Sequence, residues 1–201
     1  MASQQCSLTL DIMSGTSWQT CYQRSCKSGG RKVLKCFPTC RGVHPPGSLK
    51  ACFDPVSARL RTTDLGTGRF VCLAYFQPAG GEPLSSPVPW ESVEKEGQSP
   101  RSPLNQFFIV EDGQPIPSDS GCVLFNFRPS GWHYGWKSSR GKVQSEHQLR
   151  VAALHLAENV EGVQIATLVA TAVSPPFRLM STRAASARRK RLAAGSDSKQ
   201  A

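Results

Sequence analysis

Between Arg128 and Lys142 the chain reads RPSGWHYGWKSSRGK, which sets Trp132, Tyr134 and Trp136 among Arg128, Lys137, Arg140 and Lys142. Cations in that arrangement can neutralise phosphates while an aromatic ring stacks on a base. Trp132 and Tyr134 are therefore candidates for base contact and the four basic residues for backbone contact. The same residues suit another task, because a buried tryptophan often anchors a β-sandwich and glycines supply hairpin turns. Both uses fit one strand, whose alternate side chains face opposite ways. Arg31, Lys32 and Lys35 add candidate phosphate contacts from a second basic stretch. Arg188-Arg189-Lys190-Arg191 offers four cations in a row, which suits the acidic groove of a nuclear-import receptor or phosphate itself. The plainer use of such a run is a solvated tail.

Metal and nucleophile chemistry each have a candidate set. Cys21-x4-Cys26 and Cys36-x3-Cys40, followed by His44, could supply the four ligands that zinc takes in a tetrahedron. A four-residue gap is wide for such a pair and no CxxC occurs, so free thiols or an occasional disulfide are expected and no metal or other cofactor is assigned. Ser118-Asp119-Ser120-Gly121-Cys122 resembles the nucleophile loop of chymotrypsin-like proteases. His44 as base and Asp64 as its orienter come in the order such a triad requires. The glycine expected before that aspartate is Ser118, and a polar turn leading into a strand explains the same letters. No phosphate-cradling glycine loop before a helix, no HExxH and no closely spaced carboxylate pair in a plausible cleft occurs, so an enzyme is not the favoured class and the protease stays a remote alternative.

Composition narrows the partners. The 201 residues carry 24 Lys plus Arg against 14 Asp plus Glu, a formal charge of +10 that favours an anionic partner. The charge is segregated: residues 20–69 hold ten basic and two acidic groups, whereas 70–127 hold two basic and seven acidic. The longest apolar run, Val163 to Val173, falls short of the roughly 20 residues a membrane helix needs, and it contains Gln164, Thr167 and Thr171. No membrane partner is expected. The start of the chain lacks the basic residues and long apolar run of a secretory signal, which favours a reducing compartment for the eight cysteines.

The elements that would hold these residues look like strands, since the apolar runs are short, rich in Val, Phe, Cys and Thr, and broken by Gly and Pro. The expected strands are Cys6–Ile12, Lys32–Phe37, Arg69–Phe76, Gln106–Val110, Cys122–Arg128, Gln148–Leu156, Val163–Ser174 and a last one at Pro176–Ser181. Residues 158–162, Glu-Asn-Val-Glu-Gly, supply turn chemistry for a terminal hairpin joining 148–156 to 163–174. Both faces of 148–156 are apolar, so a buried helix is the alternative there. The fold class is all-β, an immunoglobulin-like β-sandwich with long loops. It divides into a β-rich part over 1–76, a Pro-rich loop or linker over 77–103, a second β-rich part over 104–182 and a disordered basic tail over 183–201.

A β-rich domain whose final strand runs into SPPFRLMSTRAASARRKRL, residues 174–192, resembles the immunoglobulin-like DNA-binding domains of the Rel/NFAT group. In that group, loops at one end of the sandwich grip DNA. The resemblance spans about residues 104–192 and lacks that group's base-reading loop motif, so no family residue is carried over. It implies a nuclear, nucleic-acid-binding regulator of transcription, with duplex DNA ahead of RNA, whose basic loops meet phosphates and whose tail serves import. The alternative is a sandwich that binds a protein partner through an edge strand or its acidic middle, with the tail acting only as a nuclear address.

Overall fold

The computed structural model describes residues 6–12, 16–26, 32–39, 54–63, 68–82, 84, 88–91, 109–128, 132 and 145–180. Its strands are β1 (Cys6–Asp11), β2 (Cys21–Cys26), β3 (Lys32–Leu34), β4 (Val56–Thr62), β5 (Arg69–Pro78), β6 (Val88–Pro89), β7 (Ile109–Asp112), β8 (Gln114–Pro115), β9 (Cys122–Phe127), β10 (Glu146–Glu158), β11 (Gln164–Val173) and β12 (Phe177–Met180). The fold is all-β, with two sheets stacked on a common core.

The smaller sheet runs β1-β4-β9-β8, antiparallel throughout. β4, VSARLRT, shows why: Val56, Ala58, Leu60 and Thr62 point inward while Arg59 and Arg61 point to water, the period-two pattern of a sheet with one dry face. β9 answers with Val123, Phe125 and Phe127 on the same core. The larger sheet is centred on β10, thirteen residues long, with β5 along one edge and β11 and β12 along the other. β7 pairs with β5, β6 with β11, and β12 lies parallel to β2, which pairs with β3.

β10 is apolar on both faces because both are covered. Leu149, Val151 and Ala153 face the smaller sheet, whereas Ala152, Leu154 and Leu156 pack with Val71, Leu73 and Trp90 on the far side. A strand buried on two faces has no polar stripe, which is why its sequence also admits a helix. The expected hairpin to β11 is present: Asn159 Oδ1 accepts from the amides of Glu161 and Val163, both at 2.9 Å, and Gly162 takes φ 76°. Each fully buried Leu or Phe of these two layers contributes roughly 1.5–3 kcal/mol.

Several expected strands move or shrink. The run from Lys32 stops at Leu34, because Cys36 adopts the left-handed region at φ 55° and turns the chain before Phe37. Of the strand expected at Gln106–Val110, Ile109 and Val110 lie on β7, which continues to Asp112, and 106–108 lie outside the described residues. β5 extends through Gln77 and Pro78, and Val88–Pro89 pairs with β11, so the Pro-rich stretch contributes both strand and, at Trp90, core. β2, β4, β6 and β8 lie outside the runs that the sequence marks as strands.

Candidate nucleic-acid interface

The two sheets share a direction that sorts the connections into two ends. β4 begins where β9 ends, at Val56 opposite Phe127, and β10 begins where β5 ends, at His147 opposite Pro78. The Gly113 amide donates to Phe70 O at 2.9 Å, and a Cβ on Gly113 would meet Val123, so β5 and β9 start at the same end and finish at the same end. β12 runs toward that finishing end, as do β2, parallel to it, and the start of β3.

Trp132 marks this end. Its ring sits 5.2 Å from Phe37 and 6.2 Å from Phe76, and Phe37 in turn lies 4.8 Å from Tyr22 and 5.7 Å from Phe177. Edge-to-face aromatic pairs at such spacing add about 0.5–1.5 kcal/mol each beyond their buried area. The backbone is fastened around the cluster: the Leu34 amide donates to Trp132 O at 3.0 Å and the Asp54 amide to Phe37 O at 3.2 Å. Asp54 also accepts from the Thr39 hydroxyl, and both residues are buried.

The two ends differ in charge. The described residues carry nine Lys or Arg against ten Asp or Glu, so the framework is close to neutral. Segments 27–31, 40–53, 129–144 and 181–201, all joined to the framework at the Trp132 end, carry thirteen Lys or Arg and one acid, Asp197. The opposite end holds the turn at Asn159 with Glu158 and Glu161. Its arginines are matched, Arg61 to Asp119 at 2.9 Å and Arg69 to Asp112 at 2.6 Å.

The individual candidates divide accordingly. Arg128 is exposed just past β9, and its charge partly offsets the rise that burial and the neighbouring Asp112 impose on the Glu111 carboxyl. Lys35 is half-buried in the turn after β3, where its amide donates to Gln23 O at 2.8 Å. Lys32 lies on β3 opposite Cys26. Arg31, Tyr134, Lys137, Arg140, Lys142 and the run Arg188, Arg189, Lys190, Arg191 lie outside the described residues.

Trp132 requires correction as a base-stacking residue. It is fully buried and its indole Nε1 donates to Asp54 O at 3.1 Å, so neither ring face is open to a base. Of its two sequence readings, the core anchor is the one its packing supports.

Cys72 and Cys122 are buried thiols, and burial raises both above the usual thiol range. Cys6, Cys21 and Cys36 are half-buried and form no disulfide. Among the described residues no group of His, Cys, Asp or Glu could hold a metal; the Cys26 side chain, Cys40 and His44 lie outside them. In the Asp-Ser-Gly turn, Ser120 is exposed while Asp119 is engaged by Arg61, and Gly121 takes φ 95° against Thr62. Asp64 lies outside the described residues.

Sequence reasoning misses Arg150 because it sits inside the apolar run LRVAAL, although a cation in such a run is itself the signal. It also misses Arg178, hidden in the last strand, where it meets Glu146 at 3.3 Å. No family model matches the chain, and no curated protein and no solved structure matches it.

Proposed function

We propose that the protein binds nucleic acid, duplex DNA foremost, through basic segments carried at the Trp132 end of a near-neutral β-sandwich. One observation carries this: the surplus of thirteen cations over one acid falls in segments that all join the framework at one end. Lys and Arg presented together at the end of a rigid scaffold neutralise several phosphates at once and release their counterions, which gives affinity that falls steeply with salt. The likeness of 174–192 to the Rel/NFAT group points the same way and supports an immunoglobulin-like arrangement acting in transcriptional control. Lys137, Arg140 and Lys142 supply phosphate contacts, with Arg31, Lys32, Lys35 and Arg128 beside them, and Tyr134 supplies an aromatic ring for a base. Arg188, Arg189, Lys190 and Arg191 act as a nuclear address.

The test is fluorescence anisotropy of a random duplex and of single-stranded RNA with the full chain across a salt series. It is repeated with Lys137, Arg140 and Lys142 changed to Ala, and separately with the four residues 188–191 changed to Ala. Steep salt dependence that weakens in the first variant and persists in the second supports the proposal. Binding that vanishes only with the 188–191 variant reduces those cations to an address or unspecific anchor and favours a protein-binding sandwich. Cytoplasmic redistribution of the tagged 188–191 variant supports the nuclear address, and unchanged nuclear location removes it.

A further inference from the structure

Among the described residues, Arg150 is a buried cation without a counter-charge. It is 8% exposed, its Nη2 donates to the backbone carbonyl of Gly81 at 2.8 Å, and its Nε is buried with no acceptor. None of the ion pairs among the described residues includes it. A guanidinium stays protonated throughout the working pH range, so this charge cannot be relieved by losing a proton. Burying it unpaired is unfavourable unless something supplies negative charge.

The surroundings of Arg150 have the layout of a site. Tyr75 stands opposite it on β5, and Gln148 stands opposite Gln77 two residues along, so four polar side chains share the outer face of the larger sheet. All four are buried, at 3% for Tyr75 and Gln77 and 8% for Gln148. Next to this block the same face turns apolar, with Leu73, Ala152 and Leu154. On the β5 side it is closed, because the turn after Pro78 brings Gly81 O to accept from both Arg150 and Gln77 Nε2. On the β11 side the cover thins: the partners there are Val173, 47% exposed, opposite Arg150, and exposed Thr171 opposite Ala152. Gln148, two residues from Arg150 along β10, and Thr171, two residues from Val173 along β11, are the polar neighbours on that side of the face.

We propose that Arg150, with Gln148 and Thr171, forms a binding site for a phosphate group on the outer face of the larger sheet. The oxyanion supplies the missing counter-charge through a charge-assisted hydrogen bond from the guanidinium, while Gly81 O holds that group in place. The site does not depend on the basic segments of the Trp132 end. It accepts either a free phosphate or phosphomonoester or a phosphate of a nucleic-acid backbone.

Inorganic phosphate is titrated into the full chain by calorimetry at an ionic strength held with chloride, for the wild type, Arg150→Met and Arg150→Lys. Arg150→Met keeps an unbranched apolar stem and removes the buried charge, a change that leaves folding intact or improves it; far-UV circular dichroism verifies the fold. Saturable binding that weakens about tenfold or more in Arg150→Met and is partly kept in Arg150→Lys is expected. Equal phosphate binding in wild type and Arg150→Met, or no saturable binding in wild type, overturns the site. A duplex oligonucleotide then identifies the source. Displacement of phosphate, with weaker duplex binding in Arg150→Met, assigns a backbone phosphate. Phosphate binding that the duplex leaves untouched assigns a free phosphate or monoester, and stands even where duplex binding itself is absent.

Discussion

The indole Nε1 of Trp132 donates to the carbonyl of Asp54 at 3.1 Å, across 78 positions of sequence. Because the Leu34 amide donates to Trp132 O and the Asp54 amide to Phe37 O, this one side chain ties the turn after β3, the start of β4 and the segment after β9 into a single knot. Trp132→Ala is expected to destabilise the protein by about 3–5 kcal/mol, since it empties the middle of an aromatic cluster. Trp132→Phe keeps most of the packing and loses the hydrogen bond, for about 1–3 kcal/mol. Urea midpoints measure both. Duplex affinity of folded Trp132→Phe at fixed salt should match the wild type; a clear drop would return the indole to a contact role.

Two glycines with positive φ separate backbone strain from crowding. Gly162, at φ 76°, has open space where a Cβ would stand, so Gly162→Ala should cost about 1–2 kcal/mol from the left-handed conformation alone. Gly121, at φ 95°, would place a Cβ 2.7 Å from Thr62 O, and the Thr62 amide is bonded to Gly121 O at 2.9 Å. Gly121→Ala must also push β4 and the turn before β9 apart and is expected to be the more destabilising of the two. Chemical denaturation of the pair decides it, and equal costs would mean that the turn yields freely.

What is legible in the letters and what is hidden follow from how each residue is satisfied. The hairpin of β10 and β11 is legible because its turn residues act locally, Asn159 on the next amides and Gly162 on its own φ. β4 carries an equally clear period of two in Val56, Ala58, Leu60 and Thr62, but its alternating Ser57, Arg59 and Arg61 leave no continuous apolar run of the kind that marks the other strands. Arg61 is spent instead on Asp119, a partner 58 positions away that no local pattern announces. Trp132 can be read two ways because its environment comes from Phe37, Phe76 and Asp54, all distant in sequence. Arg150 is the converse: a cation inside an apolar strand is visible in the letters, and only its missing counter-charge needs the fold.

Alkaline pH should unfold the protein ahead of most of its surface chemistry. Burial is the main force raising the Tyr22 and Tyr75 hydroxyls and the Cys72 thiol, outweighing the Gln19 amide at Tyr22 and Arg150 at Tyr75, which lower them. A group whose folded-state value is raised stabilises the fold below its unfolded value and loses that contribution as pH climbs through the folded one. Stability is therefore expected to be flat near neutrality and to fall once pH passes the ordinary thiol and phenol values of 9.0 and 10.0. Tyr22→Phe should be less stable at pH 7, because Pro38 O loses a donor at 2.7 Å, yet show a shallower decline between about pH 9 and 11. Parallel declines in the two proteins would remove Tyr22 from the alkaline transition.

The two ends of the sandwich should respond oppositely to removal of charge. Arg61 and Arg69 are 61% and 54% exposed and already face Asp119 and Asp112, so each pair is worth about 0–1 kcal/mol to stability. Their positive field is cancelled by those carboxylates at close range. Changing both arginines to Ala is expected to move the urea midpoint little and to leave the salt dependence of duplex binding unchanged. Changing Lys137, Arg140 and Lys142 to Ala, which takes one cation more from the other end, should lower the slope of log affinity against log salt by about 0.9 for each phosphate no longer neutralised. Anisotropy titrations of both variants across a salt series make the comparison. A slope that falls equally in the two would mean that net charge alone governs binding, and that the Trp132 end has no privileged part in it.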